Sequence, residues 1–280
     1  MSSQHAFLAR VRRALHRHDD LSTSQPPLLW RDQDLAEAAA ALQVRLAEQR
    51  PALISKIQEE LPAVSGTATH VHAATEAVQY VTRLAQEKAA RLVVRWQSDL
   101  LETLEVDAAL QQQGVTVHTT ALPTGPRSGS PPSAEQMTAQ RQTFRELLAR
   151  ADLGLSGVDY VIAETGTLVL SSLAGQMRGV SLLPPVHVAV ARTSQVLATL
   201  ADYLLLTQAA GTDLQEQLTS CVSFVTGPRR TADIELTLAV RVHCPGELHL
   251  VLVEDPPVNR RASGRSRLVR RRRGKEDSGG

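Results

Sequence analysis

From Thr67 onward, short runs of apolar and β-branched residues alternate with longer segments whose apolar residues recur at helical spacing, and that rhythm restricts the chain to few folds. Strands are expected at 67–73, 91–96 and 115–120, with helices at 75–89, 99–113 and 137–150. A strand that meets the next one only after a helix runs parallel to it, so the pattern implies an α/β domain around a largely parallel sheet. Further apolar runs at 160–172, 186–191, 221–226 and 248–254, with a helix at 194–206, continue it. The stretch 121-ALPTGPRSGSPPSAE-135 is rich in Pro, Gly and Ser and reads as a flap or an irregular crossover.

The flanks differ. Residues 5–17 pattern as an amphipathic helix, 22-STSQPP-27 as a linker, and Asp34 to Arg50 as an Ala/Leu-rich helix. Pro51 is suited to open a second helix ending near 62–66. The division expected is therefore an N-terminal helical extension over 1–63, an α/β domain over 64–255 and a disordered tail over 256–280. That tail holds eight arginines and one lysine against one aspartate and one glutamate, or +7, so the remainder carries −6 of the net +1. Arginine runs attract nucleic acid without sequence specificity, but no aromatics interleave here for base stacking, so a solvated tail is the expectation. Hydrophobic residues make up 42% and charged residues 21%, a soluble globular balance. No apolar run approaches the roughly 18 residues of a membrane span, and the N-terminus lacks a secretory pattern, which points to the cytoplasm.

Three segments carry the chemistry. In 161-VIAETGTLVLSS-172, Glu164, Thr165, Gly166 and Thr167 interrupt an apolar run. Gly166 permits a sharp turn or close approach, and Glu164 is costly to bury without donors or a ligand. The segment reads equally as one wall of a binding crevice or as a hairpin turn. In 178-RGVSLLPPVHVAVAR-192, Arg178 precedes a strand whose first residues include His187, at a position that suits either a crevice ligand or a structural histidine. In 226-TGPRRTADIELTLAVRVHCPGELHLVLVED-255, Gly227 ends a strand, Arg229 and Arg230 offer donors to an anion, and Thr231 with Asp233 fits a helix start. His243 marks a later turn. His70 and His72 share one face of a strand, but no third ligand is near in sequence, so no metal site is expected. P-loop, Rossmann and nucleophile-elbow signatures are missing. Two cysteines, Cys221 and Cys244, are too few for an iron–sulfur cluster and read as reduced thiols.

The ordered motifs "AETGTLVL", "R…SLLPPVHVAV", "TGPRRTADIE" and "VHCPGELHLVLVED" resemble those of the LUD-domain family, most closely its branch without iron–sulfur motifs. The resemblance covers 157–255 strongly and 67–150 weakly. It implies a three-layer α/β/α open sheet like those of ribose-5-phosphate isomerase, glucosamine-phosphate deaminase and CoA transferases. It further implies no cofactor in this chain, cysteine-rich iron–sulfur partner proteins and a part in oxidising L-lactate to pyruvate. The site it implies takes a small anion among Thr165, Gly166, Thr167, Arg178, His187, Gly227, Arg229, Arg230, Thr231, Asp233 and His243, with Glu164 as the candidate catalytic group. The alternative is a stand-alone isomerase- or CoA-transferase-like enzyme using Glu164 as base or nucleophile. Arg229-Arg230 stand where the family usually has Ser-Lys, and Cys244 where it has Gly.

Overall fold

The computed structural model describes residues 32–120, 134–173, 175–210, 221–228, 231–232, 238–239 and 245–256. The expected helix at 5–17, the Pro/Gly/Ser-rich stretch over 121–133 and the arginine-rich tail from 257 onward lie outside the described residues. Among those described, no helix is long and apolar enough to cross a membrane.

The chain enters through helix α1 (Asp32–Ala63) and then alternates: β1 (Thr67–Val71), α2 (Ala74–Glu87), β2 (Leu92–Arg95), α3 (Asp99–Thr103), α4 (Val106–Gln112), β3 (Thr116–Thr119), α5 (Ala134–Arg150) and β4 (Leu153–Ser156). A hairpin follows, β5 (Tyr160–Ile162) and β6 (Thr167–Ser171), and then a 3-10 turn, Arg178–Ser181. The rest comprises β7 (Val186–Arg192), β8 (Val196–Leu197), α6 (Leu200–Ala209), β9 (Val222–Val225), a short ribbon β10–β11 (Thr231–Ala232, Leu238–Ala239) and β12 (Glu247–Val253).

Six strands form the central sheet in the order β1-β12-β7-β4-β2-β3, every pair parallel. Its inner strands β7, β4 and β12 are covered on both faces, which is why 186–191 and 248–253 are apolar apart from His187 and His249. On one face Val188, Val190, Leu155 and Val93 pack with Val81 and Leu84 of α2 and with Val106 and Leu110 of α4. On the other, Ala189, Ala191, Leu250 and Leu252 pack with Ile57 and Leu61 of α1, Leu148 of α5, and Val161 and Leu168 of the hairpin. The mixed α/β architecture with a largely parallel sheet is therefore as expected.

Several expectations need correction. The runs at 160–163 and 168–172 do not join the central sheet; they form a second one, β8-β5-β6-β9, largely antiparallel. Its other face meets Leu42 and Leu46 of α1 and Tyr203 of α6. Next, α1 is one helix running through Pro51, and it packs into the core; Ile54, Ile57 and Leu61, all after the proline, are buried. Their burial offsets the backbone hydrogen bond that Pro51 cannot donate. Finally, the helix expected at 194–206 starts at Leu200. Thr199 and Asp202 form a reciprocal cap there, the Asp202 amide donating to Thr199 Oγ1 at 3.2 Å and the Thr199 amide to Asp202 Oδ2 at 2.9 Å.

The helix expected at 99–113 is broken in two at Glu105, whose φ is +52°. The break aims α4 so that Asp107 receives Arg95, the last residue of β2. Arg95 Nε and Nη2 donate to Asp107 Oδ1 and Oδ2 at 2.6 and 2.8 Å, and Nη1 donates to the Trp96 carbonyl at 2.9 Å. Asp107→Ala leaves the buried Arg95 guanidinium without its counter-charge. The expected loss is about 2–3 kcal/mol, under the usual range because Asp107 itself is partly exposed. Urea midpoints measure it, and an unchanged midpoint would show the pair to be energetically neutral.

Candidate functional site

Glu164, Thr165 and Gly166 lie in a tight turn, 163–166, between β5 and β6, and Thr167 begins β6 opposite Ile162. Gly166 has φ +63°, and a Cβ there would lie 2.9 Å from the Leu61 backbone nitrogen, so glycine lets the end of α1 sit directly on the turn. Gly227, with φ +80°, meets the same helix end: a Cβ would lie 2.4 Å from the Val64 carbonyl. A chain of hydroxyls runs from the turn through the start of β6 to the end of β9, Thr165 Oγ1 to Thr167 Oγ1 and Thr167 Oγ1 to Thr226 Oγ1, each at 2.7 Å. Glu164 is exposed, and its Oε1 accepts the Leu200 amide at 2.9 Å at the start of α6. A carboxylate on a free amide at a helix N-terminus is favourably placed. Beside this junction lies a cleft of about 440 Å³, lined by Val64, Ser181, Thr226, Gly227, Pro228 and Pro245.

The structure thus sets Gly166 and Gly227 against the end of α1, joins Thr165 and Thr167 to Thr226 beside Gly227, and turns Glu164 toward the start of α6. It places His187 elsewhere, fully buried in β7 between β4 and β12, with Nε2 at 2.8 Å from Ser156 Oγ. Burial, and secondarily the charge of His249, lowers the His187 pKa to about 3. Arg178 is exposed and donates to Cys221 Sγ at 3.8 Å. Thr231 belongs to the β10–β11 ribbon rather than a helix. Arg229, Arg230, Asp233 and His243 lie outside the described residues.

A second cleft follows from strand order. From β2 the chain moves outward to β3, then returns to β4 on the other side of β2 and proceeds through β7 to β12. The direction reverses between β2 and β4, and the segments leaving their carboxyl ends, helix α3 after β2 and the β5–β6 hairpin after β4, leave a crevice at that point. A cleft of about 360 Å³ lies there, lined by Gln97 and Ser98 after β2, Gly157 after β4, Gln176, and Arg192 and Gln195 at the end of β7. Asp99 lines it too. A Cβ on Gly157 would lie 3.1 Å from Ser98 Oγ, so the glycine keeps the two strand ends close. Gln195 braces one wall: its Oε1 accepts the Arg192 amide at 2.7 Å and its Nε2 donates to the Val158 carbonyl at 2.6 Å. The segment after β6 crosses the top, where the Gly175 carbonyl accepts from the Gln97 amide at 3.0 Å and from Thr120 Oγ1 at 2.6 Å.

Two groups in this cleft have unused bonding capacity. Gln176 Oε1 is buried without a hydrogen-bond partner. The half-buried Arg192 guanidinium has no ion-pair partner among the described residues. A guanidinium, a buried amide oxygen and the Ser98 hydroxyl suit a small polar anion carrying its own hydroxyl or amide donor. None of these residues was singled out from sequence. The available signal was the polar run Gln97-Ser98-Asp99 directly after an apolar strand, the form of a strand–helix turn at the carboxyl end of an open sheet.

Comparison with known proteins supplies the lineage. The LUD domain family matches residues 54–253. "Lactate utilization protein C" of Halalkalibacterium halodurans is 31% identical over 182 residues, 63% of this chain and 69% of that protein. The "Uncharacterized electron transport protein YkgF" of Escherichia coli K12 is 26% identical over 259 residues, 81% of this chain and 52% of that protein. "Lactate utilization protein C" of Anoxybacillus flavithermus is 36% identical over 110 residues, 39% of this chain and 47% of that protein. The chain thus spans about half to two thirds of the length of these relatives. The crystal structure of a DUF162 family protein from Deinococcus radiodurans aligns with a TM-score of 0.47 at 21% identity, over 73% of this chain and 98% of that one. With the family match extending from the last turns of α1 to the end of β12, the chain belongs to the LUD-domain family.

Proposed function

We propose that the protein is a cluster-free component of an iron–sulfur L-lactate utilisation system and holds a small hydroxy- or oxo-carboxylate in the cleft between the ends of β2 and β4. The lineage supports the first half, through its likeness to proteins named for lactate utilisation and, in one case, for electron transport. Two cysteines are fewer than the four thiolates of a common cluster, so the electron carriers are assigned to cysteine-rich partners. The observation that carries the second half is Arg192, a cation lining a polar cleft at the sheet's reversal point. A carboxylate pairs with the guanidinium by two parallel hydrogen bonds, and the α-hydroxyl then finds acceptors in Asp99 or Gln176 Oε1. In this reading the chain binds and orients substrate while its partners move the electrons.

The test is growth of a deletion strain that has no other lactate dehydrogenase. Deletion is expected to stop growth on L-lactate and spare growth on pyruvate. The wild-type gene restores growth, and Arg192→Gln does not while accumulating as folded protein. Equal growth of the deletion strain on both carbon sources would remove the lactate assignment; full rescue by Arg192→Gln would remove the cleft.

A further inference from the structure

We propose that His70, His72 and Glu254 form a divalent transition-metal site at the carboxyl ends of β1 and β12. Alternate residues of a strand point to one face, so His70 and His72 stand together while Val71 between them is buried. The ligand missing from the local sequence arrives through the sheet. Val71 pairs with Val253 in the parallel register, and the Glu254 amide donates to the Val71 carbonyl at 3.0 Å. This sets the Glu254 side chain beside both rings. His70 Nε2 and Glu254 Oε2 are 2.8 Å apart, the two imidazole centroids are 4.7 Å apart at 66°, and one donor atom from each of the three residues lies within 4.8 Å of the others.

A simple ion pair accounts for His70 and Glu254 but not for the second imidazole held edge-on beside them. A metal accounts for all three. Bonds of about 2.0–2.2 Å to nitrogen and oxygen in tetrahedral array place donors about 3.3 Å apart, a separation these partly exposed side chains reach by small rotations. The backbone of His72 is pinned by its amide donating to Glu76 Oε2 at 3.0 Å, so two ligands sit on ordered main chain. Two imidazoles and one carboxylate suit Zn²⁺, Fe²⁺, Co²⁺ or Ni²⁺ in preference to Mg²⁺ or Ca²⁺. Three protein ligands leave a position for water or an anion, the pattern of an open site. The site lies at the β1 edge of the sheet, separate from the cleft between β2 and β4, and stands independently of the lactate assignment.

The test is Zn²⁺ titration of the tag-free full-length chain by calorimetry, with Co²⁺ absorption as a second readout. One Zn²⁺ per chain in the micromolar range or tighter is expected, with Co²⁺ bands of a low-symmetry nitrogen/oxygen site. His72→Ala and Glu254→Gln, both at exposed positions, are each expected to weaken Zn²⁺ at least about tenfold while unfolding at the wild-type temperature without metal. His118→Ala, on β3 at the opposite edge, is expected to leave binding unchanged. No Zn²⁺ binding, binding that either triad variant leaves intact, or an equal loss in His118→Ala overturns the proposal.

Discussion

Gly154→Ala is expected to abolish cooperative folding. Gly154 sits in β4, the strand at the centre of the parallel sheet, and a Cβ there would lie 2.0 Å from the Val180 carbonyl oxygen and 3.1 Å from Pro184 Cγ. The first of these is backbone of the 3-10 turn that packs on the sheet, so no side-chain rotation relieves the overlap. Either the turn lifts off, exposing the apolar surface around Val180 and Leu148, or β4 leaves its pairing with both β2 and β7. Ordinary overpacking costs about 1–3 kcal/mol, and a clash of backbone on backbone in a central strand exceeds it. Gly114→Ala is the control. Its φ is +78°, but nothing lies within 4 Å of the added methyl group, so only local strain of about 1 kcal/mol is expected. Soluble expression and urea unfolding separate the two; a Gly154→Ala protein within about 1 kcal/mol of wild type would show that the turn yields.

The same glycine explains part of what the sequence hid. The strands β1, β2, β3, β7 and β12 were legible because each is a short run dominated by Val, Leu, Ala and Thr, bounded by helical periodicity for β1 to β3 and by prolines for β7 and β12. Leu153-Gly154-Leu155-Ser156 is not such a run: Gly154 is demanded by Val180, and Ser156 by its bond to His187. Its role as a central strand is therefore set by tertiary neighbours. The Glu164–Thr167 turn was legible as an interruption, and the choice between crevice and hairpin rested on partners far along the chain, Thr226 and Leu200. Strand order is also silent in sequence. Without it, Gln97, Ser98 and Arg192 are ordinary loop residues, and Glu254 stands 184 positions from His70. Motifs located the family, while the sites depend on which strand ends become neighbours.

His187 is expected to make the protein acid-labile over a defined window. The ring is fully buried, its Nε2 bonds to Ser156 Oγ and its Nδ1 has no partner, so a proton added there would bring an uncompensated charge into the sheet. Burial first, and the charge of His249 second, hold its pKa at about 3 against 6.5 for an ordinary histidine. The unfolded chain therefore binds this proton more readily than the folded one between those values. Stability from His187 is complete above pH 6.5 and is lost as pH falls toward 3, at about 1.4 kcal/mol per pH unit and about 4–5 kcal/mol in all. His249, also lowered chiefly by burial, loses stability in the same direction, and so does Glu247, held below its usual range first by the hydrogen bond from Lys88. Wild type alone cannot apportion the slope. His187→Gln keeps a polar group for Ser156 but takes up no proton, so its urea stability, though lower at pH 8, should fall less steeply between pH 6 and pH 4. The His187 ring resonances of the folded wild type should meanwhile stay at their neutral positions down to pH 5. Parallel stability slopes for the two proteins, or a His187 resonance that titrates near 6.5, would mean that the sheet opens enough to hydrate the ring.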